Sequence, residues 1–338
     1  LKPQRKWVWV AGAALQAVAA LALALLALMG SGAIGGSLVL AALVMLSLAR
    51  GLSSIATKDV LGKTIAKRRR GTLMGWSGSV AGGATLVAGG VLMWFGDRPG
   101  NLALAILLGV AAAGWLLNAL CAARIKEVPG SIEGGENAWD SIKLGLSLLR
   151  EDRTFLHFNV ARALLLSSAL ALPYLALLGQ QQSGTELGGL GILVVVSGLA
   201  AMVASPIWGK RADQSSRRVM RDAAVGTVLC CLLGAALAWL PGDWTQSVLP
   251  YAAIYALLVI VHHGVRLGRK TYLVDIASQD NRALYVALSN TLTGVLMLVV
   301  GGIIGALAQW LGSAMLLVVL ALTAVGAVFS AQRLPEAE

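Results

Sequence analysis

A polar segment with the sequence GKRADQSSRR, at residues 209–218, combines one carboxylate with three guanidinium groups, two of which follow the carboxylate by one helical turn. Asp213 stands four residues after Gly209 and four residues before Arg217, and Arg218 follows directly. Side chains four residues apart lie one turn apart on a helix, so these charges can pair with each other or with the end of a neighbouring helix. The pattern predicts a polar latch between helix ends. The alternative is that Asp213 and Arg217 only anchor helices beside lipid headgroups.

Isolated basic residues interrupt several long apolar stretches of the chain. The pair His262 and His263 lies inside such a stretch, and Asn290 adds a polar amide in another. Arg50 and Arg162 each border a stretch, and the predicted helix continues past the arginine. Arginine binds anions, and histidine titrates near neutral pH and can carry protons. We therefore predict that these residues bind a solute or couple its movement to protons. Two alternatives stay open: the arginines extend to the headgroups, and one histidine only hydrogen-bonds a backbone carbonyl.

Carboxylates are missing from the interior of the same apolar stretches. Asp59 and Asp275 lie near the ends of theirs. A cationic ligand would need a buried carboxylate as its partner. The pattern therefore favours an anionic or zwitterionic ligand.

The elements that must position these residues are membrane-spanning helices. Of the 338 residues 57% are apolar and 13% are charged, whereas about a quarter of an ordinary soluble domain is charged. A helix crosses the hydrocarbon core with about 20 apolar residues. The uncharged runs occupy residues 7–49, 71–96, 99–123, 163–185, 187–209, 223–242, 244–265 and 283–332. The first and last are double length and break at Gly/Ser-containing turns, at 30–36 and 309–313, so we predict an all-α integral membrane protein with ten transmembrane helices.

Lysine and arginine are concentrated in every second connection between these runs. Of the 27 basic residues, only Arg98 falls in the intervening connections. Because basic loops are retained in the cytoplasm, we predict that both termini are cytoplasmic, in a bacterial inner membrane. The net charge of +11 then follows from membrane orientation, and no nucleic-acid partner is expected.

The chain also contains an internal repeat. At an offset of 212 residues, 58–90 match 270–302 at nine of 33 positions, and Arg70 pairs with Arg282. Six predicted helices, an even number, separate the two matching loops, so the repeats run parallel. A six-helix period implies twelve helices, and we expect the remaining two to precede Leu1.

The polar segment at 209–218 resembles the GxxxD(R/K)xGR(R/K) signature of the major facilitator superfamily, which lies between the second and third helix of each six-helix half. Gln214 and Ser216 depart from the usual basic residue and glycine. The resemblance implies a two-bundle fold with parallel six-helix repeats, the first shortened to four helices. Its implied domains are an N-terminal bundle at 1–124, a cytoplasmic linker with an amphipathic helix at 125–153, and a C-terminal bundle at 154–338.

The resemblance also implies a function, secondary active transport of a small solute by alternating access. It places Arg50 on the fourth helix, where proton-coupled exporters of the superfamily carry a functional arginine, although Ser54 stands in place of the usual glycine. The fourth, seventh and tenth helices line the cavity in this family, which assigns Arg50, Arg162 and one of the two histidines to it. The expected partners are a small-molecule solute, protons and the lipid bilayer, with efflux favoured over uptake.

Patterns typical of enzymes and metal sites are missing from the sequence. It contains no GxSxG, HExxH, phosphate-loop or dinucleotide motif. Cys121, Cys230 and Cys231 form no CxxC pair. We therefore expect neither an enzyme nor a bound metal or cofactor. The alternative to a transporter is a non-transporting membrane protein or an inactive, truncated transporter fragment.

Overall fold

The computed structural model describes residues 4–29, 33–94, 100–127, 147–183, 190–242, 247–278 and 282–336. Within these ranges the chain forms α-helices and no strand, which confirms the all-α prediction; residues 147–151 are helical in addition to the nine helices named next. The helices are α1 (Lys6–Met29), α2 (Ala33–Thr64), α3 (Lys67–Trp94), α4 (Asn101–Ala123), α5 (Arg153–Leu164), α6 (Ser167–Ser183), α7 (Leu190–Trp239), α8 (Val248–Ile276) and α9 (Arg282–Gln332). We call α1–α4 the N-terminal half and α5–α9 the C-terminal half.

Seven helical segments of the described residues are long and apolar enough to cross a membrane. They include Val194–Trp239 and Leu284–Gln332, of 46 and 49 residues, each about twice the length that one crossing needs. The chain is thus an integral membrane protein. Seven candidate spans do not establish the predicted count of ten transmembrane helices.

Both long helices contain one residue with a non-helical backbone. In α7 this residue is Ser215, with φ −162° and ψ 105°. In α9 it is Gly312, with φ 73° and ψ 166°, a conformation that is open almost only to glycine. The break predicted at 309–313 is therefore confirmed. The break predicted at 30–36 falls where α1 ends at Met29 and α2 begins at Ala33.

The packing of the helices divides unevenly between the two halves. In the N-terminal half, α1 packs against α2 and α4, and small residues such as Ala13 and Ala112 allow close contact there. Helix α3 packs mainly along α7 of the C-terminal half and only slightly against α2. Helix α7 also packs against α8 and α9, around an apolar cluster that includes Phe158 and Tyr272.

The contact between α3 and α7 brings the two backbones together at glycines. A Cβ atom at Gly75 would lie 2.5 Å from the carbonyl oxygen of Ser205, and one at Gly82 would lie 2.5 Å from the amide nitrogen of Met202. Only glycine allows so close an approach without movement of one helix. The glycines on one face of α3 therefore let its backbone pack directly against α7 of the C-terminal half.

The linker predicted at 125–153 lies mostly outside the described residues. At its start, Glu127 is buried and accepts hydrogen bonds from the backbone N–H groups of Arg5 and Lys6, at 3.0 and 2.7 Å. Lys63 approaches the same carboxylate at 3.4 Å. The start of the linker is thus tied to the beginning of α1 and to α2.

Candidate functional site

The predicted latch segment lies where the beginning of α3 meets the middle of α7. Asp213 accepts hydrogen bonds from the backbone N–H of Gly71, at 2.6 Å, and of Thr72, at 2.8 Å, and from the Thr72 hydroxyl. A Cβ at Gly209 would lie 2.6 Å from the carbonyl oxygen of Gly71, so the backbones touch beside the carboxylate. A carboxylate near a helix N-terminus is stabilised by the partial positive charge there. Asp213 therefore joins the two halves of the chain.

Arg217 and Arg218 contact the C-terminal tail and not Asp213. Arg217 Nη2 lies 2.8 Å from Glu336 Oε1, Arg217 Nη1 donates to the Leu334 carbonyl at 3.0 Å, and Arg218 Nε lies 3.7 Å from Glu336 Oε1. The Ser215 hydroxyl donates to Glu336 Oε2 at 2.7 Å. The sequence predicted the charges but gave no sign that their partner stands more than 100 residues further on.

A second set of charges joins the halves near the same end of the helices. Arg70 Nη1 lies 2.9 Å from Asp275 Oδ1, and the two side chains are 11% and 5% exposed. Arg70 also donates from Nε to the Ile65 carbonyl at 3.0 Å, and Arg282 donates from Nη2 to the Ala277 carbonyl at 3.3 Å. The donor arginines, Arg70 and Arg282, are 212 positions apart, and so are their acceptors, Ile65 and Ala277. The sequence repeat therefore recurs in the local hydrogen bonding. We call this end, which carries residues 5–6, 65–70, 124–127, 211–221, 277–278 and 282, the basic end.

A small cavity lies between the halves, deeper than this contact. Its volume is about 140 Å³, and it is lined by residues of α2, α5, α8 and α9. Five of the eight lining residues are basic: Lys58, Arg162, Arg266, Arg269 and Lys270. No carboxylate of the described residues is among them. We call it the cationic cavity.

The burial and pairing of its basic residues set the electrostatics of the cationic cavity. Lys58 is 8% exposed, and it makes no hydrogen bond or ion pair with any described residue. Its neighbour Asp59 turns away, toward Lys63 at 2.5 Å and Arg282 at 3.9 Å. At an effective dielectric of about 20, two like charges about 5 Å apart repel by about 3 kcal/mol. An anion in the cavity would therefore be attracted strongly.

Arg162 and Asn290, which the sequence singled out separately, meet at this cavity. Arg162 donates from Nη2 to Asn290 Oδ1 at 3.0 Å and from Nη1 to the Ser289 hydroxyl at 2.6 Å. That hydroxyl in turn donates to Asn159 Oδ1 at 2.7 Å. The chain of bonds fixes the guanidinium plane between α5 and α9, while Nε of Arg162 is buried without a partner among the described atoms.

The other predicted ligands do not line the cationic cavity. Arg50 is exposed on α2, within electrostatic range of Arg266 and Lys270. His262 Nδ1 lies 3.0 Å from the Ser168 hydroxyl, in the contact of α8 with α6. Conversely, four of the five basic lining residues do not stand out in the sequence, because basic residues near helix ends are expected from membrane orientation alone. The signal available was the spacing of 266, 269 and 270, which places three cations on one face of α8.

No group of three or more potential metal ligands is found among the described residues.

The sequence profile of the Major Facilitator Superfamily matches residues 4–261. The chain belongs to the major facilitator superfamily. Members of this superfamily are membrane transporters and not enzymes, and the chain is accordingly a protein of a transporter family.

Solved structures share the superfamily fold with this chain. A bacterial homologue of the iron transporter ferroportin, in its outward-facing state, matches with a TM-score of 0.69 and 15% identity over 98% of this chain and 82% of that one. The E. coli fucose:proton symporter matches with a TM-score of 0.67 and 13% identity, over 97% and 84%. The human organic anion transporter MFSD10 matches with a TM-score of 0.71 and 16% identity, over 98% and 81%. No curated protein sequence matches the chain significantly.

Proposed function

We propose that this member of the major facilitator superfamily is a secondary active transporter that carries a small anionic or zwitterionic solute by alternating access. The observation that supports this most directly is the cationic cavity between the two halves, whose lining combines Lys58 from α2 with Arg162 and Arg269 from the C-terminal half. A site built from both halves changes its exposure when one half moves against the other. Superfamily membership supplies the transport architecture.

The proposed membrane arrangement has ten crossings. Helices α1–α4 and α8 cross once each, α5 and α6 form one crossing, and α7 and α9 cross twice because they bend at Ser215 and Gly312. The basic end is then cytoplasmic, since basic connections are retained on that side. In this proposal residues 1–124 and 154–338 form two bundles, joined by a linker at 125–153.

The contacts of the basic end are the proposed cytoplasmic gate. Asp213 binds the beginning of α3, and Arg70 binds Asp275, so the two halves are held together there in this conformation. Opening toward the cytoplasm requires both contacts to part. The gate therefore links the predicted latch residues to alternating access.

Proton coupling and outward transport are also part of the proposal. The titratable candidates are His262, hydrogen-bonded to Ser168, and His263, with Arg50 as a further charge on the fourth helix of the superfamily numbering. The Ser168 hydroxyl also donates to the Leu165 carbonyl at 2.9 Å, so a change in the protonation or tautomer of His262 would rearrange the hydrogen bonds of this serine. Such a change would alter the contact between α8 and α6.

The test is solute flux in sealed proteoliposomes carrying the purified full chain, with and without an imposed pH gradient. The panel contains organic anions, inorganic oxyanions and zwitterionic amino acids. We expect saturable flux of at least one anion or zwitterion, dependence on the pH gradient, and loss of flux in Arg162→Gln but not in Arg124→Gln, an exposed cation outside the cavity. Absence of flux for the whole panel would favour the alternative of a non-transporting membrane protein or inactive fragment.

A further inference from the structure

We propose that the cationic cavity selects a small, soluble, multivalent oxyanion over monovalent anions and zwitterions. This inference rests on the proposed function and narrows its substrate class. It concerns equilibrium binding at the cavity, so it can be tested without transport.

The charge at the cationic cavity is unbalanced. Five basic residues line it, and the described carboxylates near it have other partners: Asp59 contacts Lys63, and Asp275 contacts Arg70. A monovalent anion would leave most of this charge uncompensated, and a zwitterion would bring an additional cation. Each further negative charge on one ligand gains attraction from all five groups at once. Multivalent anions are therefore preferred.

Two hydrogen-bond donors of the cavity, Lys58 and Arg162, differ in how they are held. Lys58 is more than nine-tenths buried, lines the cavity and has no hydrogen-bond or ion-pair partner among the described residues. A buried cation that has only cavity water to solvate it is stabilised less than one that is paired with an anion. The guanidinium of Arg162 is fixed by Ser289 and Asn290 beside it. The cavity thus holds an oriented donor and an unsatisfied one, and an oxyanion with several oxygens satisfies both.

The volume of the cavity limits the size of its ligand. A water molecule takes up about 30 Å³ of liquid, so a volume of about 140 Å³ holds the equivalent of four or five waters. A tetrahedral oxyanion or a short dicarboxylate fits this space. Large amphiphilic anions do not. Charge and size together define a compact ligand with at least two negative charges.

Lipid phosphate is the competing source of the same chemistry. Arg266 and Lys270 are exposed at the cavity, so a headgroup could approach from their side. The phosphodiester of a common anionic lipid carries one negative charge, however, whereas a free oxyanion such as sulfate carries two. The ligand of the cavity is therefore the soluble oxyanion, and anionic lipid serves as a competitor in the test.

The experiment is isothermal titration calorimetry of the purified full chain at constant ionic strength, in detergent with phosphatidylcholine. Sulfate and methanesulfonate are the paired probes, since both are tetrahedral and they differ by one negative charge. We expect sulfate to bind at least about tenfold more tightly. Equal affinities would overturn the proposal, as would loss of sulfate binding when phosphatidylglycerol replaces phosphatidylcholine at equal concentration.

Two variants and one control assign the binding to the cavity. Lys58→Gln and Arg269→Gln should each weaken sulfate binding by about tenfold or more, as expected for loss of a charge-assisted hydrogen bond. Arg124→Gln should leave it unchanged. Lys58→Gln should also raise the thermal stability of the sulfate-free protein, because it removes an unpaired buried charge, whereas a variant that merely damaged the fold would lower it. Unchanged sulfate affinity in both cavity variants would contradict the inference.

The outcomes separate this inference from the proposed function. Flux of only monovalent anions or zwitterions in proteoliposomes would preserve the transporter and overturn multivalent selection. Sulfate binding lost in Lys58→Gln, without flux of any oxyanion in the panel, would preserve the site and count against transport.

Discussion

Arg70 on α3 and Asp275 on α8 form an ion pair between the two halves of the chain, with 2.9 Å between Nη1 and Oδ1. Both side chains are nearly buried, and the Ser216 hydroxyl also donates to Asp275, at 3.4 Å. Ser216 belongs to the latch segment, whose Asp213 binds the turn of α3 that follows Arg70. The two contacts are therefore neighbouring parts of one gate.

Arg70→Gln should destabilise the closed gate. Removing one partner of a buried pair leaves the other charge uncompensated, at a cost of about 3–5 kcal/mol. Thermal unfolding in detergent should show Arg70→Gln and Asp275→Asn to be much less stable, and the double variant should recover part of the loss. Arg221→Gln, which breaks a half-exposed contact with Asp222, is the control and should change little. Strictly additive losses in the double variant would argue against the pair.

Gly75→Ala should loosen the contact between α3 and α7. The added Cβ meets the Ser205 carbonyl oxygen at 2.5 Å, and backbone cannot give way without a shift of the helix. Gly90→Ala on the same helix meets nothing within 4 Å, so it should be neutral or stabilise by about 0.5–1 kcal/mol. Disulfide cross-linking of cysteine pairs introduced into α3 and α7 measures the contact. Equal cross-linking in the two variants would contradict the packing argument.

Asp213→Asn should open the gate more often. The neutral amide keeps one acceptor for the N–H groups of Gly71 and Thr72 but loses the attraction of a carboxylate for the helix N-terminus. Labelling of a cysteine introduced near Gly71 should become faster by several fold in Asp213→Asn. Asp222→Asn, on the same helix but paired only locally with Arg221, should label like the unaltered protein.

Glu336→Gln should release the C-terminal tail from the latch segment. Glu336 is the shared partner of Arg217, Arg218 and Ser215, so one substitution weakens three contacts: both ion pairs lose their negative charge, and only one acceptor oxygen remains. We expect proteolysis of the tail at a lower protease concentration, with little change in global stability because Glu336 is 43% exposed. A tail that resists proteolysis as before would show that the buried Leu334 holds it instead.

Arg50→Ala and Arg162→Gln should both abolish transport without preventing membrane insertion, but for different reasons. Arg162 is a hydrogen-bond donor at the cavity that Ser289 and Asn290 hold in place, so its loss should also abolish anion binding. Arg50 does not line the cavity, so binding in Arg50→Ala should persist at reduced affinity. Flux and calorimetry on the same preparations measure the two effects. Normal flux in Arg50→Ala would remove it from the proposed mechanism.

The sequence by itself determined those properties that depend on neighbouring residues. Long apolar runs require helices in a membrane, and a glycine between two apolar stretches marks the break at Gly312. The spacing of Gly209 and Asp213 matched a superfamily signature, and a carboxylate in that pattern was expected at a helix end. Each of these follows from the period of one helix or the hydropathy of one segment.

The tertiary structure alone decided which helices meet and what their charges contact. In the structure α3 lies along α7, and Arg217 and Arg218 contact Glu336. Lys58 lines the same cavity as the three basic residues of α8, which are Arg266, Arg269 and Lys270. These relationships depend on how each helix is rotated and shifted against residues that are distant in the chain. The rotation of each helix is fixed by many small van der Waals contacts together, including the close approach that Gly75 allows. The sequence of one segment does not show the sum of these contact energies.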